Sequence, residues 1–365
     1  AYAIRALCYL NLATWFSRAP YNSLTGASRW NEPCVPVYTT GTSIDTGGQP
    51  RESLRTVYGR IDQDIDRAIE LLEKARETTL AENNKSHINL YVALGIKSRA
   101  CLAEGDWDGA FKAAKRVIDE GGYAVGTKSD LTGGMNSLDK QNVMWGAGIQ
   151  VADQAGGYAG FFTHMDNKEG AYAKSAPKLI SKQLYNRISA TDIRRDWWDP
   201  SDKESPYVSK KFSFANVASF LGDYIYMRVE EMYFTAAEAA LRLDDLKSAR
   251  ELMNTVMAER DPGYSANNRS GTLLGATTTT WTGSFLENIL THRRIELWGE
   301  YGRLFDVRRL GQGIDRRTDD GFSEECISMM NRRNVNITKA DTYDWVLTIP
   351  KAELDANPNI NEEDQ

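Results

Sequence analysis

From Leu90 to Ile118 apolar residues recur at helical spacing on both sides of a single break. Leu90, Ala93, Leu94, Ile96, Ala100 and Leu102 mark one helix, and Trp107, Ala110, Phe111, Ala114, Val117 and Ile118 mark the next, with Gly105-Asp106 between them. Small side chains at Ala100, Ala110 and Ala114 let two antiparallel helices come close, because a bulkier residue at the crossing pushes the axes apart. The pattern then returns. The run from Ala239 to Ala249 aligns with Ala100 to Ala110, setting Asp245-Leu246 on Asp106-Trp107 and Val256 on Val117. A helix–turn–helix with alanine at the same offsets is the mark of a tetratricopeptide-type repeat, here diverged, since most aromatic positions of a full consensus are missing.

The remaining pattern hangs from this scaffold. Ala1 to Phe16 reads as a helix, and Ser17 to Pro50, interrupted by Pro20, Pro33, Pro36 and Pro50, as a long surface loop of the kind that usually carries function. A strongly periodic helix follows from Arg51 through Val57, Ile61, Ile65, Ile69 and Leu72, and the core hairpin spans His87 to Glu120. Glycine pairs, a β-like run from Asn142 to Val151 and one helix, Ala176 to Ile188, make residues 121–222 an irregular insertion with short strands. Asp223 to Arg260 restores the repeat, Asp261 to Gly283 is a second loop, and a long helix runs from Phe285 to about Glu300. The expected fold is mainly α: tetratricopeptide-like helix pairs over about 1–120 and 223–310, a loop-rich region containing short strands, and a mixed C-terminal segment, 311–365. No clean domain boundary is visible, so 1–365 reads as a single unit.

Composition narrows the function. A net charge of -6 argues against a nucleic-acid partner, whose phosphates need a basic face. No apolar run has the length of a membrane-spanning helix. The chain opens on Ala1 inside an apolar helical pattern, from which we expect that its natural start, with any targeting signal or lipid attachment, has been trimmed. Cys8, Cys34, Cys101 and Cys326 lack the spacing of a zinc site, and Cys8 and Cys101 read as small core residues. No metal-ligand motif or cofactor is expected; Asn/Asp-rich loops could hold calcium, but no EF-hand pattern is present, and calcium stays open.

The run from His292 to Arg309 is rich in arginine, but Glu296, Glu300 and Asp306 interleave with Arg293, Arg294, Arg303, Arg308 and Arg309, which makes ion pairs rather than a phosphate-binding face. No nucleophile elbow, phosphate-binding glycine loop or metal-binding histidine motif is present. Asp62, Asp64 and Asp66 read as the wet face of their helix. Aromatic residues are the unusual feature, with nine Trp and seventeen Tyr, several in loops. Trp30 sits in Ser-Arg-Trp-Asn-Glu, Trp281 in Thr-Thr-Trp-Thr-Gly, and Trp197-Trp198 precede Asp-Pro. An exposed indole offers a flat face to the C–H face of a sugar ring while neighbouring polar groups bond its hydroxyls. The candidate ligand-binding residues are therefore Trp30, Asn31, Trp281, Trp197, Trp198 and Tyr264; the competing reading is that each Trp packs its own loop against the helices.

Five stretches together resemble the SusD/RagB outer-membrane nutrient-binding lipoproteins of Bacteroidetes. They are Ile4 to Leu12 with Ala19-Pro-Tyr-Asn22; Val57 to Leu72; Gly105-Asp-Trp-Asp-Gly-Ala110 with Val117-Ile118; Tyr224 to Ala239; and Arg293 to Arg309 followed by Ile349-Pro350 and Asn357-Pro-Asn359. His292 departs from the family pattern, where a Glu is usual. The resemblance implies a SusD-like fold, lipid anchoring on the extracellular face of the outer membrane, and a non-catalytic role binding an oligosaccharide or polysaccharide for a TonB-dependent transporter of SusC type. It also locates the binding site in the loops after the first helix and between later helices, where Trp30 and Trp281 fall. Three other readings stay open: a peptide-binding relative, a glycoside hydrolase, and a helical-repeat protein-interaction module.

Overall fold

A computed structural model describes residues 1–43, 45–76, 84–152, 159–269, 283–314 and 346–360. The scaffold is a stack of helices whose spatial order follows the chain: α1 (Tyr2–Phe16) packs on α2 (Leu54–Arg76), α2 on α3 (Leu90–Glu104), and α3 on α4 (Trp107–Glu120). After the insertion, α9 (Val229–Arg242) packs on α4 and on α10 (Leu246–Ala258), and α11 (Phe285–Glu296) packs on α9. The repeat offset read from the sequence is physical. Ala100, Ala110, Ala239 and Ala249 are all fully buried, as are Val117 and Val256. Asp106 and Asp245 both cap the second helix of their pair, accepting from the backbone N–H of Gly109 and Ser248. Before each cap the chain turns through left-handed backbone, with Gly105 at φ 77° and Asp244 at φ 62°.

Residues 121–228 leave the stack after α4 and return as α9 begins. Their described residues hold four short α-helices, α5 (Lys128–Thr132), α6 (Phe161–Met165), α7 (Ala171–Ser175) and α8 (Lys182–Tyr185), a 3-10 helix at Ile193–Trp197, and two antiparallel ribbons. One ribbon pairs β1 (Val143–Ala147) with β4 (Tyr224–Arg228), and the other pairs β2 (Trp198–Asp199) with β3 (Val208–Ser209). Thus Asp223 to Arg260 does not begin as helix: Tyr224–Arg228 is taken by ribbon pairing, and the helix starts at Val229.

The expected helix from Ala176 to Ile188 is only the single turn of α8. Pro177 disfavours the helical region for Ala176, which sits at φ -142°, and residues 178–180 are extended against β3, with the N–H of Ile180 bonded to Tyr207 O and that of Ser209 to Lys178 O. The last long helix stops at Glu296, short of Glu300, and Gly299 and Gly302 carry positive φ before α12 (Arg303–Arg309). Two further expectations fail on burial. Cys8 is exposed, whereas Cys34 and Cys101 are buried. Asp64 is buried, not wet: Arg5 reaches from α1 to hold it through two bonds of 2.6 and 2.7 Å, tying α1 to α2.

The C-terminal helix α13 (Lys351–Ala356) leads into Asn357-Pro-Asn359, and this motif clamps the long first loop. The buried Asn357 amide donates to Gln49 O at 2.8 Å, and Asn359 donates to Gly48 O at 2.6 Å. A side chain at Gly48 would overlap the Asn357 carboxamide. Asn357→Ala is expected to lose about 1–3 kcal/mol of stability and to open residues 39–50 to limited proteolysis; unchanged cleavage there would rule the clamp out. Among the described residues, no helix is long and apolar enough to cross a membrane.

Candidate ligand-binding face

The long loop between α1 and α2 crosses the end of the stack where the repeat hairpins turn. Tyr21 lies edge-on to Trp107 at 6.2 Å and fills the space a side chain at Gly105 would need. Arg242, at the end of α9, stacks 4.3 Å over that Trp107 ring and donates to Ser23 O. Arg308 donates to the carbonyls of Thr14 and Ser17, and the N–H of Ser23 bonds to Arg309 O at 2.8 Å. The buried side chain of Asn22 accepts from the N–H groups of Leu24 and Thr25, closing a local turn. A loop held at this many points is a rigid platform.

Trp30 rides on that platform, half-buried, its ring edge-on to Tyr58 at 5.7 Å and its carbonyl accepting from the N–H of Arg55 in α2. The Arg55 guanidinium lies 5.8 Å from the ring centroid, and Asn31 beside it is exposed. Glu32 pairs with Arg18 and lies 3.8 Å from Arg29. The result is a partly open indole surrounded by amide, carboxylate and guanidinium groups.

Tyr264 stands on a different element. Its hydroxyl donates to Asn288 at 2.7 Å, its ring meets His292 edge-on at 5.2 Å, and Arg269 lies 5.6 Å from its centroid. Burial pushes its hydroxyl up to about 12, so it stays protonated. His292 Nδ1 accepts a hydrogen bond from the Arg194 guanidinium at 2.9 Å, and burial together with that guanidinium holds its pKa well below 6.5. No ring contact or hydrogen bond joins Tyr264 to Trp30 among the described residues. Trp281 and Cys326 lie outside the described residues.

Trp197 and Trp198 are not loop platforms. They are 2% and 1% exposed and form a core of their own with Leu131, Ile180, Leu184, Ile188 and Ile295. The Trp197 indole N–H donates to Leu131 O at 2.8 Å, the Lys211 ammonium lies 4.4 Å over its ring, and Trp198 meets Trp298 edge-on. For this pair the packing reading wins, because both rings are buried between the insertion and Ile295 of α11.

The arginine-rich run is paired, and its pairs are buried. Glu296 accepts from Arg194, Arg228 and Arg260, and Glu300 from Arg228 and Lys211. Arg309 holds Glu238 through two bonds of 2.8 and 2.7 Å, and Arg293 meets Asp306 at 2.8 Å. Pattern alone gave no sign of Lys211 and Arg194, which come from the insertion and join it to the stack.

The comparisons with known proteins agree with this architecture. The model of the SusD family matches residues 165–364, just over half of the chain. No curated protein matches. Among solved structures, a SusD-like carbohydrate binding protein from Bacteroides vulgatus is 26% identical with a TM-score of 0.78, the match covering 100% of this chain and 76% of that one. A SusD superfamily protein from Bacteroides thetaiotaomicron is 22% identical with a TM-score of 0.74, over 99% and 76% of the two chains. Surface glycan-binding protein A from Bacteroides uniformis shares the fold at 16% identity and a TM-score of 0.58, over 98% and 75%.

Proposed function

The chain belongs to the SusD family, and from that premise we propose that it is a non-catalytic glycan-binding protein, lipid-anchored on the extracellular face of the outer membrane, which passes an oligosaccharide to a TonB-dependent transporter of SusC type. The observation that carries the reading is Trp30: a partly buried indole on a pinned loop, bordered by Asn31, Glu32 and Arg55. An apolar face with adjacent donors and acceptors is what a pyranose ring needs. Trp281, in the other long loop, and Tyr264 complete the proposed set. Tyr264 offers its ring, since its hydroxyl is engaged with Asn288. The 26% identical relative is described as a carbohydrate binding protein, which points the same way.

A glycosidase acid needs a carboxyl whose pKa is raised so that it carries a proton to the leaving group. The arginines around Glu238, Glu296 and Glu300 hold those three low, whereas burial beside Asp62 pushes Glu104 up to about 9, so the electrostatics do not decide between binding and hydrolysis and the assay for sugar release does.

Native gels cast with a panel of polysaccharides, run beside a reducing-sugar assay, test the reading. Retardation by at least one glycan without sugar release is expected. Trp30→Ala should weaken that retardation by roughly tenfold or more in the folded protein, as loss of an anchoring aromatic does, beside the stability lost with its packing on Tyr58 and the core. Sugar release would assign an enzyme instead, and indifference of every glycan to the protein would end the proposal.

A further inference from the structure

The chain as a whole carries a net charge of -6, yet the charge left over beside Trp30 is positive. Glu32 is already engaged there: both of its oxygens accept from Arg18, and Arg29 lies 3.8 Å away. Arg51 is taken up by the main-chain carbonyls of Cys34, Phe16 and Pro33. Glu52, three residues before Arg55, forms no ion pair with it. Near Tyr58, Asp62 and Glu104 hydrogen-bond to each other and hold one proton between them, so that pair presents a single charge.

Arg55 remains. It is exposed, and among the described residues its guanidinium makes no hydrogen bond or ion pair. An exposed arginine is ordinarily just a solvated charge, but this one stands where the local field opposes it. It lies in the first turn of α2, the end that the aligned peptide dipoles make positive, and no acidic residue shares that turn. The N–H groups of Leu54 and Arg55 bond to Glu32 O and Trp30 O at 2.9 Å each, so the positive end of a 23-residue helix abuts the Trp30 segment itself. At 5.8 Å from the indole centroid the guanidinium is at the outer limit of a cation–π contact, and it borders the ring without covering it. Arg242 over Trp107, at 4.3 Å, is the covering arrangement. Asn31, exposed and also without a partner among the described residues, adds a free amide beside the ring. What this place lacks is a negative charge.

We propose that the Trp30 site selects an acidic glycan, whose sugar stacked on the indole, or the sugar next to it, carries a carboxylate or sulfate that Arg55 binds. The inference rests on the glycan reading above and adds the class of glycan. A guanidinium holds either anion through two parallel N–H···O bonds, with charge assistance that a neutral sugar cannot supply. The exocyclic group of a stacked pyranose projects past the ring, where a cation bordering the indole meets it. The Asn31 amide serves a neighbouring hydroxyl.

Matched polymers test the proposal by native affinity electrophoresis at low and high salt. Polygalacturonate is paired with its fully methyl-esterified form, and κ-carrageenan with its desulfated form, so each pair isolates one anion. For at least one pair the dissociation constant, read from retardation against polymer concentration, should be about tenfold or more lower for the acidic member, the scale of a hydrogen bond to a charged group. Which pair responds tells carboxylate from sulfate. The preference should shrink as salt rises; Arg55→Ala should abolish it, and Arg55→Lys should keep part of it. Trp30→Ala should weaken binding of the acidic polymer as well, which mere adhesion of a polyanion would not show. Equal retardation by both members of each pair, still dependent on Trp30, would overturn the proposal and leave the glycan reading standing. An acidic preference that Arg55→Ala does not change would overturn it too, by placing the anion elsewhere. Retardation by none of the four polymers would end it, and the wider panel above then decides the glycan reading by itself.

Discussion

Glu296→Ala is expected to destabilise the fold by about 3–5 kcal/mol, the usual cost of removing one partner from a buried charge cluster. The Glu296 carboxylate, at the end of α11, accepts from Arg194 at 3.1 Å, from Arg228 at 3.0 Å and from Arg260 at 3.0 Å, and all four side chains are fully buried. These arginines come from the insertion, from β4 and from the end of α10, so one carboxylate joins three parts of the chain. Each keeps another partner, Asp192, Glu230 or Glu300, which favours the lower end of the range. Glu296→Gln preserves shape and one acceptor and should cost less. Denaturant unfolding at pH 7 measures both; a loss below about 1 kcal/mol for the alanine variant, the scale of an exposed ion pair, would mean that the cluster does not hold the insertion.

The same cluster sets the acid limit. Burial alone would raise the Glu296 carboxyl, but Arg260, Arg228 and Arg194 outweigh it and hold it well below 4.5; Arg309 and Arg242 do the same for Glu238, to about 2. Both folded-state values are depressed, so the stability these groups supply is fully present above the unfolded value near 4.5. It is lost as pH falls from there through the folded values. Denaturant stability should therefore drop steeply below pH 4.5, and Glu296→Gln should flatten the drop.

Trp197→Ala is expected to cost about 3–5 kcal/mol, as large-to-small changes of a buried aromatic do. Its ring is enclosed by Trp198, Ile180 and Leu184 and covered by the Lys211 ammonium, and its N–H is bonded to Leu131 O. The contrast with Trp30→Ala separates the two kinds of tryptophan. Trp197→Ala should lower the melting temperature with no specific effect on glycan retardation of the folded fraction, whereas Trp30→Ala should weaken retardation of the folded fraction itself. If Trp197→Ala kept full stability and lost the ligand, its placement in the core would be wrong.

The helical stack was legible from local chemistry. Apolar spacing located α1, α2 and the hairpin at 90–118, the offset from Ala100 to Ala239 located the second pair, and the capping aspartates marked where each hairpin turns. These features depend on residues within a turn or two of one another, so a pattern along the chain is enough to specify them. Mixed charge in the 292–309 run pointed to ion pairs, and Asp306 pairs with Arg293 and Arg309 inside it, but Glu296 and Glu300 take Arg194, Arg228, Arg260 and Lys211 from outside it.

Burial and partnership were decided only in three dimensions. Trp30 and Trp197 sit in equally polar-looking stretches, yet one borders solvent and the other fills a core, because Ile295 and Trp298, far along the chain, close over the 197–198 pair. Asp64 looks like a wet helix residue until Arg5 arrives from α1, and Ala176 to Ile188 looks helical until residues 178–180 meet β3. Lys211 gains its role from Glu300, and Arg194 from Glu296. In each case the deciding contact spans tens of residues or more, and its energy comes from desolvation and packing that exist only once the chain has closed on itself.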